Sequence, residues 1–415
     1  MSKPVWLFVC YGGGHVKALL PVALRVRELG VAQPMVLALT TAAPAVRASG
    51  LRTLGFRDFL DPADQRARTR GEELTAQLAV QATDRDESVA YLGLSYTDME
   101  DRLGAVQAAE LYRQYGRQAF LPLSVLQRVI RRCQAALVVT TNSPRAERAA
   151  IEAARSLGVP SVCLVDLLGI WERDLLGRPD YADAVCVLNE GVRDSLLAAG
   201  RPAGDVHVTG NPAFDTLRDP EIMALGARYR DALDWTDLHV LLYASSPEPI
   251  RVQGVAGVGD PAFPRQVEDV LVQSVRDNPA LALWVRRHPS EAGASDIARA
   301  RHPRIRESTP DLPLHAFIHA SDEVVVTVST VGVEASLAGK AVTQVTGSIL
   351  DHLSPYLEMG LASRALDLAQ LAQSYRTGKP AGLVPAASKP ASSGHDATEQ
   401  VVRVLLAVQG QGVGL

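Results

Sequence analysis

Short runs of apolar residues alternate with segments of helical periodicity along most of the 415-residue chain. The first run, Val5 to Cys10, ends in glycines, which is typical of a buried parallel strand. Val16 to Leu29 then places its apolar residues on one helical face, and Gly30 follows as a C-cap. The next strand is predicted at Met35 to Leu39. The chain therefore opens as strand, glycine loop, helix and strand, the order of a βαβ unit.

Two further series of elements continue this alternation. The stretch from about residue 60 to 135 is polar, rich in arginine and helical in pattern, so we interpret it as an insertion or a helical layer. Beyond it the pattern predicts strands at Ala136 to Thr140, Ser161 to Val165, Ala184 to Leu188 and Val206 to Val208, and helices at Pro144 to Leu157 and Gly191 to Ala199. After Asn211-Pro212 it predicts strands at Leu238 to Tyr243, Leu281 to Arg286, Glu323 to Val328 and Ala341 to Val345, and helices at Pro264 to Arg276 and Val333 to Leu337.

Strands that alternate with helices predict an α/β protein with parallel sheets. We expect two doubly wound Rossmann-like domains facing across a cleft, where ligands of such folds usually bind. Residues 1–212 form the first domain, with the helical insertion at about 60–135, and residues 213–380 form the second. Lys379 to Asp396 is rich in Pro, Ala, Ser and Gly, which predicts a flexible linker at 381–396. Ala397 to Val408 then resumes as a helix within the closing segment 397–415.

Composition narrows the class of protein. The formal net charge is −4, from 42 Lys plus Arg against 46 Asp plus Glu, which gives no general drive toward nucleic acid. The four cysteines lie far apart without metal-ligand or CxxC spacing, which argues against a disulfide scaffold and a zinc ribbon. No apolar run reaches the ~18 residues of a membrane span. Glycines and charges also interrupt the N-terminal run too early for a signal peptide. We therefore predict a cytoplasmic enzyme without a transmembrane segment.

The glycine loop Cys10-Tyr11-Gly12-Gly13-Gly14-His15 is the first candidate for chemistry. Gly13 and Gly14 would let the backbone approach a ligand at the start of a helix, where free N–H groups attract an anion. The pattern is neither GxGxxG nor GxxxxGK[ST], which disfavours a nicotinamide site and a P-loop. His15 could take a proton from a hydroxyl near neutral pH, or it could merely cap the helix.

Two segments in the second half predict a phosphate site. Arg286-Arg287-His288-Pro289 ends a strand, so Arg287 and His288 are candidate phosphate ligands. Ser329 and Thr330 stand at a later strand-to-helix turn, where their hydroxyl and N–H groups could hold phosphate oxygens. Glu334 could accept hydrogen bonds from ribose hydroxyls, or it could simply match the dipole of its helix.

The remaining candidates lie near the middle of the chain. Asp166, after the strand that begins at Ser161, could be a general base or only a loop cap, and Glu172 is the alternative carboxylate. Gly210, Asn211 and Pro212 form a tight turn at the domain junction, for which a hinge role is predicted. No Asp-x-Asp triplet stands at a predicted strand end, since Asp84-Arg85-Asp86 lies in the polar helical stretch. We therefore predict no metal.

These segments, in this order, resemble the GT-B glycosyltransferase superfamily. Within it they are similar to the branch of lipid A disaccharide synthase, the undecaprenyl-linked N-acetylglucosaminyltransferase, the CDP-glycerol glycerophosphotransferases and the non-hydrolysing UDP-N-acetylglucosamine 2-epimerases. The matching segments are Gly12-Gly13-Gly14-His15, Thr209-Gly210-Asn211-Pro212 with Asp215, Arg286-Arg287-His288-Pro289, and Ser329-Thr330 through Glu334 to Gly339-Lys340. The last of these resembles an S-x-x-x-x-E-x-x-x-x-GKP segment, with Ala341 in place of the proline.

The resemblance implies a glycosyltransferase that moves a sugar from a nucleotide sugar to an acceptor hydroxyl, inverting and independent of metal. It implies a nucleotide site at His288, Ser329, Thr330 and Glu334, an acceptor side at Gly13, Gly14, His15 and Asp166, and a closing helix that packs on the first domain. The alternative is a 2-epimerase, although its "GDR" and "EAGLRT" segments are missing and the matching region reads Val165-Asp166-Leu167-Leu168-Gly169.

The resemblance defines the donor and acceptor of this protein only in part. The expected donor is UDP-, CMP- or CDP-linked, and no other cofactor is predicted. The acceptor stays open among a glycan, a lipid-linked sugar, a small molecule and a modified base. The protein is expected as a monomer or homodimer. Peripheral membrane contact through Arg66 to Arg70 or Arg128 to Arg132 stays open, although such stretches are more often a solvated helical face.

Overall fold

The computed structural model describes residues 3–78, 84–252, 255–288, 290–291, 302–308, 312–380, 384–385 and 396–410. The chain divides into two compact units. The first unit comprises Met1–Ala213 and Ser393–Leu415, and the second comprises Phe214–Ser392. Most of the predicted linker at 381–396 lies outside the described residues.

The first unit is built on a seven-stranded sheet in the order β3-β2-β1-β4-β5-β6-β7. Every pair of neighbouring strands is parallel. The strands are β1 Val5–Cys10, β2 Gln33–Ala38, β3 Arg52–Leu54, β4 Ala135–Thr140, β5 Ser161–Leu164, β6 Ala184–Val187 and β7 Val206–Val208. The order reverses direction between β1 and β4, and such a switch point is where doubly wound sheets bind ligands beyond the carboxyl ends of the strands.

Helices cover both faces of this sheet. They are α1 Gly14–Leu29, α2 Ala42–Ala48, α3 Gln65–Ala76, α4 Arg85–Leu103, α5 Ala105–Tyr115, α6 Leu123–Cys133, α7 Ala146–Ser156, α8 Arg173–Leu176 and α9 Glu190–Ala198. The predicted helical character of residues 60–135 is thus confirmed over its described part, which holds α3 to α6. The predicted C-cap at Gly30 is also confirmed, because its backbone is left-handed and its N–H binds the carbonyl of Arg27.

The core follows from the alternation of side chains along β1. Trp6 and Phe8 point to one face, where they pack with α1, and Leu7 and Val9 point to the other, where they pack with α6 and α7. A C-terminal helix, Ala397–Val408, adds apolar residues to the α1 side of the same core. Its Glu399 forms an ion pair with Arg25 of α1. A segment far along the chain therefore completes the first unit.

The second unit repeats the pattern with six strands in the order β10-β9-β8-β11-β12-β13, all of them parallel. The strands are β8 His239–Ala244, β9 Leu281–Arg286, β10 Ile305–Ser308, β11 Glu323–Val326, β12 Ala341–Val345 and β13 Arg364–Leu366. The helices are α10 Pro220–Asp231, α11 Phe263–Asp277, α12 Leu314–Ala320, α13 Val331–Leu337 and α14 Leu368–Ser374; we number the C-terminal helix α15. The predicted class, two doubly wound parallel sheets with flanking helices, is confirmed.

Several predicted element ends are wrong by a few residues. The helix expected from Pro144 begins at Ala146, and the strand expected to reach Val328 ends at Val326. The short strands β3, β10 and β13 were not predicted. They have three or four residues each and are largely half-buried, so they carry no continuous apolar run.

The predicted turn at the domain junction precedes the boundary between the units. Gly210 has a φ of 79°, a left-handed conformation that favours glycine. Its N–H and that of Thr209 bind the carbonyl of Val187, and the side chain of Asn211 accepts from Ala213 N–H at 3.0 Å. Pro212 begins the short 3-10 helix Pro212–Arg218. The hinge role of this turn stays a prediction.

Candidate active site

A buried carboxylate, that of Glu147, lies at the switch point of the first sheet. Glu147 belongs to the first turn of α7 and is 0% exposed. It accepts hydrogen bonds from the backbone N–H groups of Tyr11 and Ser143, both at 2.8 Å, and from the hydroxyl of Thr141 at 2.6 Å. These donors follow β1 and β4, so the carboxylate joins the ends of two adjacent strands. Each of these hydrogen bonds offsets part of the free-energy cost of burying the carboxylate charge.

His15 is the side chain that this carboxylate orients. Its Nδ1 lies 3.3 Å from a carboxylate oxygen of Glu147 and also contacts the hydroxyl of Thr141. Since a carboxylate only accepts hydrogen bonds, Nδ1 carries the proton of the neutral ring. Within the described part of the chain Nε2 has no hydrogen-bond partner, and the side chain is 26% exposed. Nε2 can therefore accept a proton from a ligand, or donate one when the ring is charged.

The charges around His15 favour its protonated form. Burial alone lowers the pKa of the imidazole, but the hydrogen bond to Glu147 and the negative charges of Glu147, Asp166 and Glu172 outweigh burial and raise it. His15 is therefore more often positively charged near neutral pH than an isolated histidine.

Asn142 holds both ends of the next loop in the site, residues 166–172. Its carbonyl oxygen accepts from the N–H of Asp166 at 2.8 Å, and its amide donates to the carboxylate of Glu172 at 3.0 Å. Burial raises the pKa of Glu172, the hydrogen bond from Asn142 lowers it, and the net direction is upward. Asp166 lies against the glycine loop, since a Cβ on Gly14 would come within 2.8 Å of its carboxylate. The carboxylates of Asp166 and Glu172 thus lie at the same edge of the first sheet as His15 and Glu147.

Each glycine of the loop meets a different constraint. A Cβ on Gly12 would lie 1.8 Å from the hydroxyl oxygen of Thr41, whereas a Cβ on Gly13 would meet no atom within 4 Å. Gly13 instead has a φ of 71°, which strains any other residue.

We expect Gly12→Ala to lower the free energy of unfolding more than Gly13→Ala, whose cost is about 1–3 kcal/mol of backbone strain at φ 71° and ψ −132°. The Gly12 variant must move Thr41, because the collision involves atoms near the backbone. Urea unfolding measures both variants, and Thr41→Gly should restore part of the loss in Gly12→Ala. Equal losses in the two single variants, with no restoration, would contradict the predicted contact.

The raised pKa of His15 gives a second prediction, on the pH dependence of stability. The unfolded histidine titrates near its ordinary pKa of about 6.5. The folded protein binds the proton more tightly, so the stabilisation is complete below that value and is lost as the pH rises through the folded pKa. We expect the stability difference between the wild type and His15→Asn to shrink from about pH 5 to about pH 8. A difference that grows over this range would contradict the prediction.

The predicted nucleotide residues lie at the carboxyl edge of the second sheet. His288 follows β9, its N–H donates to the carboxylate of Glu291 at 2.9 Å, and its Nδ1 pairs with the hydroxyl of Ser290 at 2.7 Å. Glu291 also accepts from the hydroxyl of Ser245, after β8, at 2.9 Å. Pro289 lies outside the described residues. The loop that carries His288 is thereby tied to the neighbouring strand.

Arg287 points toward carboxylates of its own unit. Its guanidinium donates to Glu268 at 2.9 Å and to Glu307 at 3.1 Å, and its side chain is 19% exposed. Two carboxylates therefore hold the group that the sequence assigned to a phosphate. Its role as a phosphate ligand stays a prediction.

Ser329, Thr330 and Glu334 surround the start of α13. The hydroxyl of Tyr356 donates to the carbonyl of Ser329 at 3.1 Å. Glu334 pairs with Nε2 of His315 at 2.8 Å, and Nδ1 of that ring pairs with the hydroxyl of Thr216 at 2.6 Å. The candidate ribose ligand is thus already oriented by a histidine. Its binding role stays a prediction.

The structure brings the predicted residues together in two groups, one in each unit. Gly13, Gly14, His15 and Asp166 share the edge of the first sheet, and Arg287, His288, Ser329, Thr330 and Glu334 share the edge of the second. Sequence reasoning missed Glu147, Thr141, Asn142 and His315. Glu147 in particular carries no distinctive signal, since a glutamate in a first helical turn usually only matches the helix dipole.

The described residues contain no group of three or more His, Cys, Asp or Glu side chains placed to hold a metal ion. Nor do they include a helix that is both long and apolar enough to cross a membrane. All four cysteines are free thiols.

Comparison with solved structures establishes the fold. The chain is similar to S. aureus MnaA in a co-structure with UDP, with a TM-score of 0.60 and 14% identity over 99% of this chain and 98% of that one. It is similar to the UDP-GlcNAc 2-epimerase of Neisseria meningitidis bound to UDP-GlcNAc, with a TM-score of 0.59 and 13% identity over 97% and 100% of the two chains. It is also similar to the UDP-GlcNAc 2-epimerase of Methanocaldococcus jannaschii, with a TM-score of 0.55 and 11% identity over 97% of this chain and 99% of that one.

The protein therefore has the GT-B fold, in the form found in UDP-GlcNAc 2-epimerases, as the resemblance in its sequence led us to expect. No family model matches the sequence, and no curated protein matches it.

Proposed function

We propose that this chain is an enzyme that acts on a nucleotide sugar, and that its reaction is the 2-epimerisation of UDP-N-acetylglucosamine or a close analogue. The fold it shares with UDP-GlcNAc 2-epimerases supports the proposal. Epimerisation was the alternative interpretation of the sequence, and the structural neighbours favour it over glycosyl transfer. Phosphate-binding groups around His288 and the Ser329-Thr330 turn would hold the nucleotide.

The observation that carries the proposal is the presence of two proton-handling groups in one cluster. Inverting a carbon removes its proton on one face and returns a proton on the other, so it needs a base and an acid. His15 and Glu172 both have a raised pKa. The charged imidazole of His15 would donate a proton, and a carboxylate of Asp166 or Glu172 would accept one. Because C2 lies beside no carbonyl, its proton leaves together with the bond from C1 to the diphosphate, which gives a C1=C2 double bond and UDP. Return of a proton to the other face of C2 and of UDP to C1 regenerates a nucleotide sugar, so the reaction balances without a co-reactant.

Glycosyl transfer is the second candidate, and a specific observation supports it. The paired Nδ1 of His15 leaves Nε2 as a base for an acceptor hydroxyl, and this reaction needs only one such group. The missing "GDR" and "EAGLRT" segments also distinguish the chain from the epimerases it resembles. In this reaction the hydroxyl proton passes to His15, the acceptor oxygen bonds to the anomeric carbon as the C–O bond to phosphate breaks, and the nucleotide leaves.

Incubation with UDP-GlcNAc in deuterated water, without an acceptor, separates the two reactions. An epimerase yields a new hexosamine with deuterium at C2, which NMR detects. A transferase releases UDP only when an acceptor is added. We expect deuterium at C2 in the wild type and a loss of about 10²–10⁴-fold in His15→Ala. Glu152→Gln, in the outer part of α7, serves as the matched control. If the wild type exchanges no deuterium but releases UDP with an acceptor, transfer replaces epimerisation.

A further inference from the structure

The loop of residues 166–172 exposes a large aromatic side chain beside the candidate active site. Trp171 directly precedes Glu172 and is 61% exposed. The other three tryptophans, all within the described residues, are 0% exposed at Trp6, 1% at Trp235 and 8% at Trp284. Covering such a ring removes apolar surface from water, so a ligand that packs against Trp171 would gain free energy from the contact.

Hydrogen bonds at both ends hold this loop in one conformation. Asn142 is 5% exposed and binds the loop at both ends, through the N–H of Asp166 and the carboxylate of Glu172. Leu167 adopts a φ of 56°, a left-handed conformation that costs a non-glycine residue energy. A strained loop that is fixed by a buried side chain is a preorganised one, and preorganised loops bind without further ordering.

The residues of the loop match the two kinds of surface on a pyranose. The ring faces of a hexose expose C–H groups, which an indole ring can cover, and its hydroxyls donate to carboxylates. Trp171 offers the indole, and Asp166 and Glu172 offer the carboxylates in the same seven-residue loop.

We propose that Trp171 binds the apolar face of the hexose ring of the substrate, and that Asn142 positions the loop that carries it. The proposal rests on the proposed function, which it deepens by assigning the sugar to this loop. Trp171 is a binding residue, whereas Asn142 acts through Asp166 and Glu172 and is a positioning residue.

Tryptophan fluorescence provides the test, because Trp171 is the tryptophan that acrylamide can reach. Excitation at the red edge of tryptophan absorption avoids the uridine ring. We expect saturating UDP-GlcNAc to lower the fraction of wild-type fluorescence that acrylamide quenches. The drop should be about as large as the one that Trp171→Phe causes without ligand. UDP alone should protect less. Free N-acetylglucosamine at high concentration should also protect, whereas its acyclic alditol, which has no ring face, should not.

Kinetics of three variants separate stacking from a structural role. Trp171→Ala should raise KM about tenfold with little change in kcat and no change in unfolding temperature, since the residue is exposed. Trp171→Phe should restore most of the KM. Asn142→Ala should lower kcat as well, because it releases Glu172.

The outcomes separate this proposal from the proposed function. If calorimetry shows that UDP-GlcNAc binds, but acrylamide quenches the wild type equally with and without it and Trp171→Ala keeps the wild-type KM, the assignment of Trp171 is overturned and the function stands. If no nucleotide sugar binds but free N-acetylglucosamine protects and the alditol does not, the sugar site stands and the function fails. Absence of protection by every probe overturns both.

Discussion

Glu147→Gln is expected to remove most of the turnover while leaving the chain folded. Tyr11 N–H binds one oxygen of the carboxylate, and Ser143 N–H and the Thr141 hydroxyl bind the other. Glutamine keeps only one of these acceptor oxygens, and it removes the charge that orients and stabilises protonated His15. General acid–base catalysis contributes about 10²–10⁴-fold, so a loss of that size is expected in kcat. The pH profile should change as well, because the pKa of His15 falls when its main partner loses its charge.

Glu147→Ala should add a loss of stability to the loss of turnover. It leaves two backbone N–H groups and a hydroxyl without their buried acceptor. Each unsatisfied buried group costs about 1–3 kcal/mol. Urea unfolding measures this loss, and NMR of the imidazole measures the pKa of His15 in both variants.

Glu152→Gln on the same helix is the matched control. Glu152 pairs with Arg148 one turn away at 2.7 Å and is 26% exposed. Such a partly exposed pair is worth about 0.3–0.5 kcal/mol, so the control should keep its activity and its stability. If Glu147→Gln turns over like this control, Glu147 has no part in the reaction.

Glu323→Ala is expected to destabilise the second unit strongly. Glu323 is 0% exposed and lies at the amino end of β11. It accepts hydrogen bonds from the Tyr375 hydroxyl at 2.8 Å, from Arg364 at 3.0 Å and from Nε2 of His239 at 3.1 Å, and it also accepts from the Thr343 hydroxyl. One carboxylate thus links β8, β12, β13 and the end of α14.

Removing the carboxylate leaves the charge of Arg364, whose side chain is only 22% exposed, without its carboxylate partner. Breaking a buried ion pair on one side costs about 3–5 kcal/mol. Thr343→Val keeps the carboxylate but removes one of its donors and the acceptor of Arg364 Nε at 2.8 Å, so we expect a smaller loss of about 1–3 kcal/mol. Fluorescence of Trp235 and Trp284, both in the second unit, follows the unfolding. If the two variants unfold at the same urea concentration, the carboxylate does not organise this network.

The carboxylate of Glu323 should also make the stability of the second unit depend on pH in the acid range. Burial raises the pKa of Glu323, but the hydrogen bond from His239 and the charge of Arg364 outweigh it and lower the pKa. The stabilisation is therefore present above the ordinary glutamate pKa of about 4.3. It is lost as the pH falls through the lower folded value. The stability difference between the wild type and Glu323→Gln should shrink on acidification.

The predictable part of the candidate site is the part that the strand ends define. His15 and Asp166 follow β1 and β5, and the carboxyl ends of parallel strands meet at one edge, so strand positions alone place both residues there. Glu147, the carboxylate beside His15, could not be found in this way. It lies 136 positions from Tyr11, and the bond between them exists only because β1 and β4 are adjacent in the sheet.

Arg287 illustrates the opposite case. Its position after β9 was predicted correctly, but position does not determine which carboxylates a long side chain reaches. Glu268 comes from α11 and Glu307 from the unpredicted edge strand β10, and these two hold the guanidinium. A pairing between elements so far apart in the chain depends on packing that local periodicity does not encode.

The sequence alone determined the α/β class, most of the strands and helices, and the order of the motifs, because these depend on local periodicity and on glycine at turns. Tertiary structure decided which polar groups share a site. The order of the strands brought the carboxylate of Glu147 beside His15. One side chain, Asn142, holds a loop that begins 24 residues later. Burial lowers the pKa of His15, but the hydrogen bond to Glu147 and the negative charges of the carboxylates beside the imidazole outweigh it and raise the pKa. These effects depend on distances across the fold, and only the packed sheet supplies them.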